Sequence, residues 1–143
     1  MKLREIMTDQ VVRISPEESV AVAARTLTHY NIGILPVCGG DGRLWGLVTD
    51  RDLVTRCIAS GRNPAATAVR EVMTKRVVSV RPDMEATEAA EIMGREQIRR
   101  LPVMENDRLC GIISLADIAN LAARGPEARF ALRDVSRNLS ARD

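Results

Sequence analysis

Two short stretches place a hydroxyl and a carboxylate three residues apart: Thr49-Asp50-Arg51-Asp52 and Ser114-Leu115-Ala116-Asp117. Each follows an apolar β-type run and opens a helical pattern. A hydroxyl at a strand end, with the free N–H groups of the first helical turn, makes a site for phosphate. A carboxylate one turn in accepts hydrogen bonds only, and can take both hydroxyls of a ribose. Charge-assisted bonds of that kind are worth ~1.5–3 kcal/mol each when shielded from water. The same spacing is also the form of a helix N-cap with an acid at N3, worth about 1 kcal/mol without any ligand. The two readings are compatible, because a capping hydroxyl can also face a cleft.

Other chemistry is scarce. The chain has one histidine, His29, and three cysteines, Cys38, Cys57 and Cys110. An odd count without C-x-x-C spacing fits neither a disulfide framework nor a zinc module. The cysteines read as reduced, buried small hydrophobes. A redox or metal responder built from them and His29 stands as an alternative. No nucleophile–base pair is legible, so the chain is not expected to be an enzyme. A net charge of +2 gives no reason to expect a nucleic-acid partner. The three aromatics, Tyr30, Trp45 and Phe130, offer almost no stacking platforms to a single strand. No apolar run approaches the ~20 residues of a membrane span. The start, Met1-Lys2-Leu3-Arg4-Glu5, lacks an apolar signal region. A length of 143 residues, with 45% hydrophobic and 28% charged, then suggests one compact cytoplasmic module.

What positions the motifs is a repeat. Met7-Thr8 recurs as Met73-Thr74, Pro16 as Pro82 and Leu35-Pro36-Val37 as Leu101-Pro102-Val103, each offset by 66. Beyond the glycine-rich turn at residues 39–42 the offset becomes 65, pairing Gly46 with Gly111, Thr49 with Ser114 and Asp52 with Asp117. Within a copy, Val11-Val12-Arg13-Ile14 reads as a short strand closed by Ser15-Pro16. Ser19 caps a helix whose apolar positions are Val20, Ala23, Ala24 and Leu27. Two β-type runs flank residues 39–42 as a hairpin, and a second helix runs from Asp52 to Ser60, ended by Gly61. The expected fold is therefore α/β (α+β): two β-α-β-β-α repeats sharing a core around a pseudo-twofold axis. The boundaries are 1–62 for repeat one, 63–71 for a connector broken by Asn63-Pro64, 72–124 for repeat two and 125–143 for a tail. The tail, with Arg129, Arg133 and Arg137, reads as a short solvated helix or a frayed end.

The doubled pattern resembles a tandem pair of cystathionine-β-synthase-type (CBS) domains, a Bateman module. The resemblance rests on Ile6-Met7-Thr8, on residues 32–37 and on residues 46–53, with their counterparts at 72–74, 98–103 and 111–118, and it covers about 120 of the 143 residues. It implies a homodimeric regulatory module that binds adenine nucleotides or adenosyl compounds in interdomain clefts and signals to a separate protein. Carried over by motif, one cleft would use Thr49 and Asp52 with Thr74, Val78, Ile98, Arg99 and Arg100. The other would use Ser114 and Asp117 with Thr8, Val12, Ile32, Gly33 and Ile34. No cofactor is obligatory; AMP, ADP, ATP or S-adenosylmethionine are the implied regulatory ligands. Arg99 and Arg100 would steer the more phosphorylated ligand to the first cleft, unless they form a solvated strand edge or pair with Glu96 or Glu105. Asp50 there would oppose phosphate. Trp45 and Cys110, at equivalent repeat positions, read as packing or dimer contact, and Met84, Met93 and Met104 as core or interface filler. A ligand-free dimerisation or protein-interaction module is the remaining alternative.

Overall fold

A computed structural model describes residues 1–122, so the expected tail with Arg129, Arg133 and Arg137 lies outside the described residues. The elements run α1 (Val20–Tyr30), β1 (Ile34–Cys38), β2 (Leu44–Thr49), α2 (Asp50–Asp52, continuing over Leu53–Ile58), α3 (Ala86–Glu96), β3 (Arg100–Glu105), β4 (Arg108–Ser114) and α4 (Leu115–Ala122). Mixed helix and short two-stranded sheets confirm the expected fold class.

Local chemistry explains the boundaries. Ser19 Oγ accepts the Val22 N–H at 3.1 Å and caps α1, whose buried face is Val20, Ala23 and Leu27. That helix ends where Asn31 turns left-handed at φ 53°, and Gln97 ends α3 in the same way at φ 59°. The β1–β2 hairpin is antiparallel, pairing Ile34 with Thr49 and Leu35 with Val48, with an irregularity at Val37–Cys38. The β3–β4 turn places Asn106 and Asp107 at φ 54° and 64°, the mirror-image turn that suits a two-residue hairpin.

The opening strand of each repeat shrinks to a single bridge, correcting the strand expected at Val11–Ile14. Ile14 pairs parallel with Val37, and Val80 with Val103. Ile14 N–H donates to the Pro36 carbonyl at 3.0 Å and its own carbonyl accepts the Cys38 N–H at 2.9 Å. Extending this ladder back to Val12 needs an N–H from residue 36, and proline has none. Pro102 stops the second copy for the same reason.

The compact units cut across the sequence repeats. One consists of residues 12–77 with 107–109; the other contains residues 1–11 and 78–106 and the described chain from 110. The head of each repeat therefore packs on the other repeat's hairpin. Thr8 exchanges two backbone hydrogen bonds with Ile112, both 2.9 Å, and Thr74 exchanges two with Leu47, at 2.9 and 2.7 Å. Gly46 and Gly111 permit that approach: a Cβ on Gly46 would lie 2.5 Å from the Thr74 carbonyl oxygen, and one on Gly111 2.6 Å from Met7 Sδ. The first unit's core comprises Ile14, Val20, Leu27, Leu35, Val37, Val48, Leu53, Cys57 and neighbours. The second's comprises Leu3, Val80, Met93, Leu101, Val103, Ile113, Ile118 and neighbours.

Candidate functional site

Both hydroxyl–acid motifs sit where a hairpin's last strand runs into a helix. At the β2–α2 junction Thr49 Oγ1 accepts the Asp52 N–H at 3.1 Å, and Asp52 Oδ2 accepts the Thr49 N–H at 3.0 Å. At the β4–α4 junction Ser114 Oγ accepts the Asp117 N–H at 3.1 Å, and Asp117 Oδ2 accepts the Ser114 N–H at 2.8 Å. Each is a reciprocal capping box, so the capping half of the sequence reading holds at both.

The two carboxylates otherwise differ. Asp52, only 7% exposed, also accepts a hydrogen bond from Thr74 Oγ1, at 3.2 Å to Oδ1 and 3.3 Å to Oδ2. Arg56, one turn along α2, brings Nε to 3.8 Å from Asp52 Oδ1. Its other end donates to the Met73 carbonyl at 2.9 Å and the Val72 carbonyl at 3.4 Å. Asp52 is thus stapled to the segment that carries Thr74. Among the described residues, the carboxylate of Asp117 has the Ser114 N–H as its one hydrogen-bond partner, leaving Oδ1 open. Leu121 stands at the repeat position of Arg56.

Beyond Asp52 the helix changes register. The Ala59 N–H reaches the Val54 carbonyl at 2.8 Å, five residues back, and the Arg62 N–H reaches Cys57 at 3.0 Å. This π-type winding over Leu53–Ile58 replaces the regular helix expected to Ser60. Val54 and Ile58, four residues apart on it, are 58% and 56% exposed.

The first unit brings Thr49, Asp52 and Thr74 together, and also contains Val12, Ile32, Gly33 and Ile34. The Gly33 carbonyl accepts the Asp50 N–H at 3.3 Å, fixing this stretch beside the first motif. The second unit contains Ser114, Asp117 and Thr8, with Val78, Ile98, Arg99 and Arg100. There the Arg99 carbonyl accepts the Leu115 N–H at 2.8 Å, beside the second motif. Arg99 and Arg100 are exposed, and among the described residues neither pairs with Glu96 or Glu105. Sequence reasoning missed Arg56. Its signal was there: an arginine four residues after Asp52 on one helix, where side chains meet.

All three cysteines are free; Cys38 and Cys57 are buried and Cys110 half-buried. Burial raises the Cys38 thiol pKa above 9.0, against a partial opposing pull from Arg13. Burial, then the charge of Glu105, raises that of Cys110. Among the described residues no group of three or more His, Cys, Asp or Glu side chains converges as a metal would require, and no helix is long and apolar enough to cross a membrane.

Two like units, each with a capped hydroxyl–acid turn, define a tandem α/β repeat module. The CBS domain model matches the chain at residues 3–58 and again at 69–124, and the chain belongs to the CBS domain family. It is 37% identical to the CBS domain-containing protein YhcV of Bacillus subtilis, over 94% of each chain. It is 36% identical to hypoxic response protein 1 of Mycobacterium tuberculosis, over 81% of each. A crystal structure of hypoxic response protein I with two coordinated zinc ions matches with a TM-score of 0.77 and 35% identity, over 84% of this chain and 98% of that one. The CBS domain pair of protein MJ0100, in complex with 5′-methylthioadenosine and S-adenosyl-L-methionine, matches with a TM-score of 0.75 and 25% identity, over 87% of this chain and 97% of that one.

Proposed function

We propose that this chain is a non-catalytic regulatory module that binds adenosyl compounds or adenine nucleotides at its two hydroxyl–acid turns. The observation that carries the reading is the Asp117 carboxylate: Ser114 fixes one oxygen at 2.8 Å and leaves the other to accept a ribose hydroxyl. Support also comes from the adenosyl ligands of the MJ0100 domain pair. Within its own unit Asp52 has Thr49, Thr74, Val12, Ile32, Gly33 and Ile34 for company, and Asp117 has Ser114, Thr8, Val78, Ile98, Arg99 and Arg100.

The two turns differ in what a ligand must displace. A diol at Asp52 must displace the Thr74 hydroxyl and compete with Arg56, whereas among the described residues no protein group holds Asp117 Oδ1. Asp117 is therefore the higher-affinity turn, and Asp52 the one whose occupation moves protein groups. A ligand that prefers the released arrangement shifts the population towards it, and a homodimer and a partner protein would read that shift. The exposed Val54 and Ile58 on α2 suit such a contact.

The test is thermal stability and calorimetry with AMP, ADP, ATP, S-adenosylmethionine and NAD, on wild type and Asp117→Ala. Ligand at ~100 times its dissociation constant adds ~2.7 kcal/mol of stability. A stabilisation lost in Asp117→Ala is the expected result. Absence of binding across the panel would leave both turns as helix caps and make the chain an interaction module.

A further inference from the structure

The first unit has a pocket of about 700 Å³ lined by Trp45, Arg56, Arg70, Glu71, Met73 and Lys75. Its charge is lopsided: three cations face one carboxylate. That carboxylate is already engaged, since Glu71 pairs with Arg62 at 3.4 Å and accepts the Ala68 N–H at 2.8 Å. Arg56 is engaged too, through the Met73 carbonyl and Asp52. Arg70 and Lys75 are exposed, and among the described residues neither side chain has a hydrogen bond or ion pair. Trp45 is 48% exposed on the outer face of β2. Its indole lies against the backbone of the preceding turn, where a Cβ on Gly39 would come within 2.8 Å of Nε1. A large aromatic surface held open beside two unpaired cations is an expensive arrangement for packing alone.

We propose that this pocket binds a planar aromatic phosphate ester, with the ring on Trp45 and the phosphates on Arg70 and Lys75. Ring stacking supplies sequence-tolerant affinity, and the paired cations select for multiple phosphates. The volume suits a mononucleotide, within the ~300–1,000 Å³ range of small-molecule sites. This site goes beyond the function proposed above, and uses neither Asp117 nor the Asp52 carboxylate as a ligand group.

Trp45 is the single tryptophan, so intrinsic fluorescence reports on this pocket directly. The probes are ATP, inorganic triphosphate and adenosine, titrated into wild type, Arg70→Gln with Lys75→Gln, and Asp52→Asn with Asp117→Asn, each checked for folding by circular dichroism. The expected result is saturable quenching by ATP, weakened at least tenfold in the cation variant and by raised salt, and retained in the acid variant. Quenching lost in the acid variant but indifferent to the cation variant would assign the nucleotide to the hydroxyl–acid turns and overturn the pocket. Inorganic triphosphate competing as well as ATP would overturn Trp45 as a platform. No saturable change at millimolar ATP would overturn the site outright. Because the cation positions are exposed, their variants keep the test available if the acid variant fails to fold.

Discussion

Replacing each capping acid by alanine should separate the two turns by stability before any ligand is added. Asp52→Ala removes the acceptor of the Thr49 N–H at 3.0 Å and of the Thr74 hydroxyl at 3.2 Å, at a side chain only 10% exposed. Two hydrogen bonds to a shielded carboxylate, at ~1.5–3 kcal/mol each, give a loss of about 3–6 kcal/mol. The half-exposed Arg56 pair adds little in solvent. Asp117→Ala removes one such bond, to Ser114, and belongs with ordinary N-terminal capping losses of about 1 kcal/mol. Urea denaturation followed by circular dichroism measures both, with midpoint and slope fitted separately in case the two units unfold in steps. The midpoint of Asp52→Ala should fall clearly further than that of Asp117→Ala. Equal losses, or a larger loss for Asp117→Ala, would refute the claim that Asp52 is stapled and Asp117 open.

Other perturbations test the frame around these turns. Gly46→Ala drives a Cβ to 2.5 Å from the Thr74 carbonyl oxygen, whereas Gly111→Ala meets the flexible Met7 side chain at 2.6 Å and the Thr8 carbonyl oxygen only at 2.9 Å, so Gly46→Ala should be the more destabilising by about 1 kcal/mol in the same urea assay. The raised Cys38 thiol pKa adds stability that is full below about pH 9.0 and is lost as pH climbs through the folded value; Cys38→Ala should flatten that alkaline loss in pH-dependent melting. Iodoacetamide at pH 8 should label half-buried Cys110 before Cys38 or Cys57, as read by peptide mass spectrometry; faster labelling of Cys38 would contradict its burial. Hydrogen bonding to the Met1 amine at 2.8 Å, and then the charge of that amine, lowers the Glu85 pKa below 4.5. Its contribution is present above that value and lost as pH falls through the lowered one, so wild-type and Glu85→Gln melting curves should converge in acid.

Periodicity and punctuation located α1, both hairpins and the two turns, because those elements are set by local chemistry: a serine cap, a glycine turn, an apolar face. The Thr49–Asp52 and Ser114–Asp117 boxes were legible for the same reason. Three features were not. The strand at Val11–Ile14 looked sound because β propensity says nothing of its partner, and Pro36 on that partner withholds the next donor. The packing of residues 1–11 with the second repeat is a long-range choice that local patterns do not encode. The π-type winding after Asp52 leaves no compositional trace, since Leu53 to Ile58 also satisfies an ordinary helix. Arg56 was visible as a residue, but its role needed the neighbouring carbonyls of Val72 and Met73 in place.

That arginine explains why two turns so alike in sequence part company. Repeat symmetry gives both acids a capping hydroxyl and both units a threonine at the crossing arm, Thr74 or Thr8. It does not give both an arginine one turn later: Arg56 has Leu121 as its counterpart. Arg56 holds the Met73 carbonyl and Asp52 together, which keeps Thr74 close enough to donate to the carboxylate. Removing the guanidinium while keeping an apolar stem, as in Arg56→Leu, should make the first turn resemble the second. Under the proposed function, calorimetry should then find tighter adenosyl binding at the Asp52 turn, by about two- to fivefold for the ~0.5–1 kcal/mol of a half-exposed ion pair released, and unchanged binding at Asp117. Asp52→Ala in the Arg56→Leu background must abolish the gain. If affinity is unaltered in Arg56→Leu while Asp117-dependent binding persists, then Thr74 alone holds Asp52, and the arginine serves only to pin the Val72–Met73 carbonyls to α2.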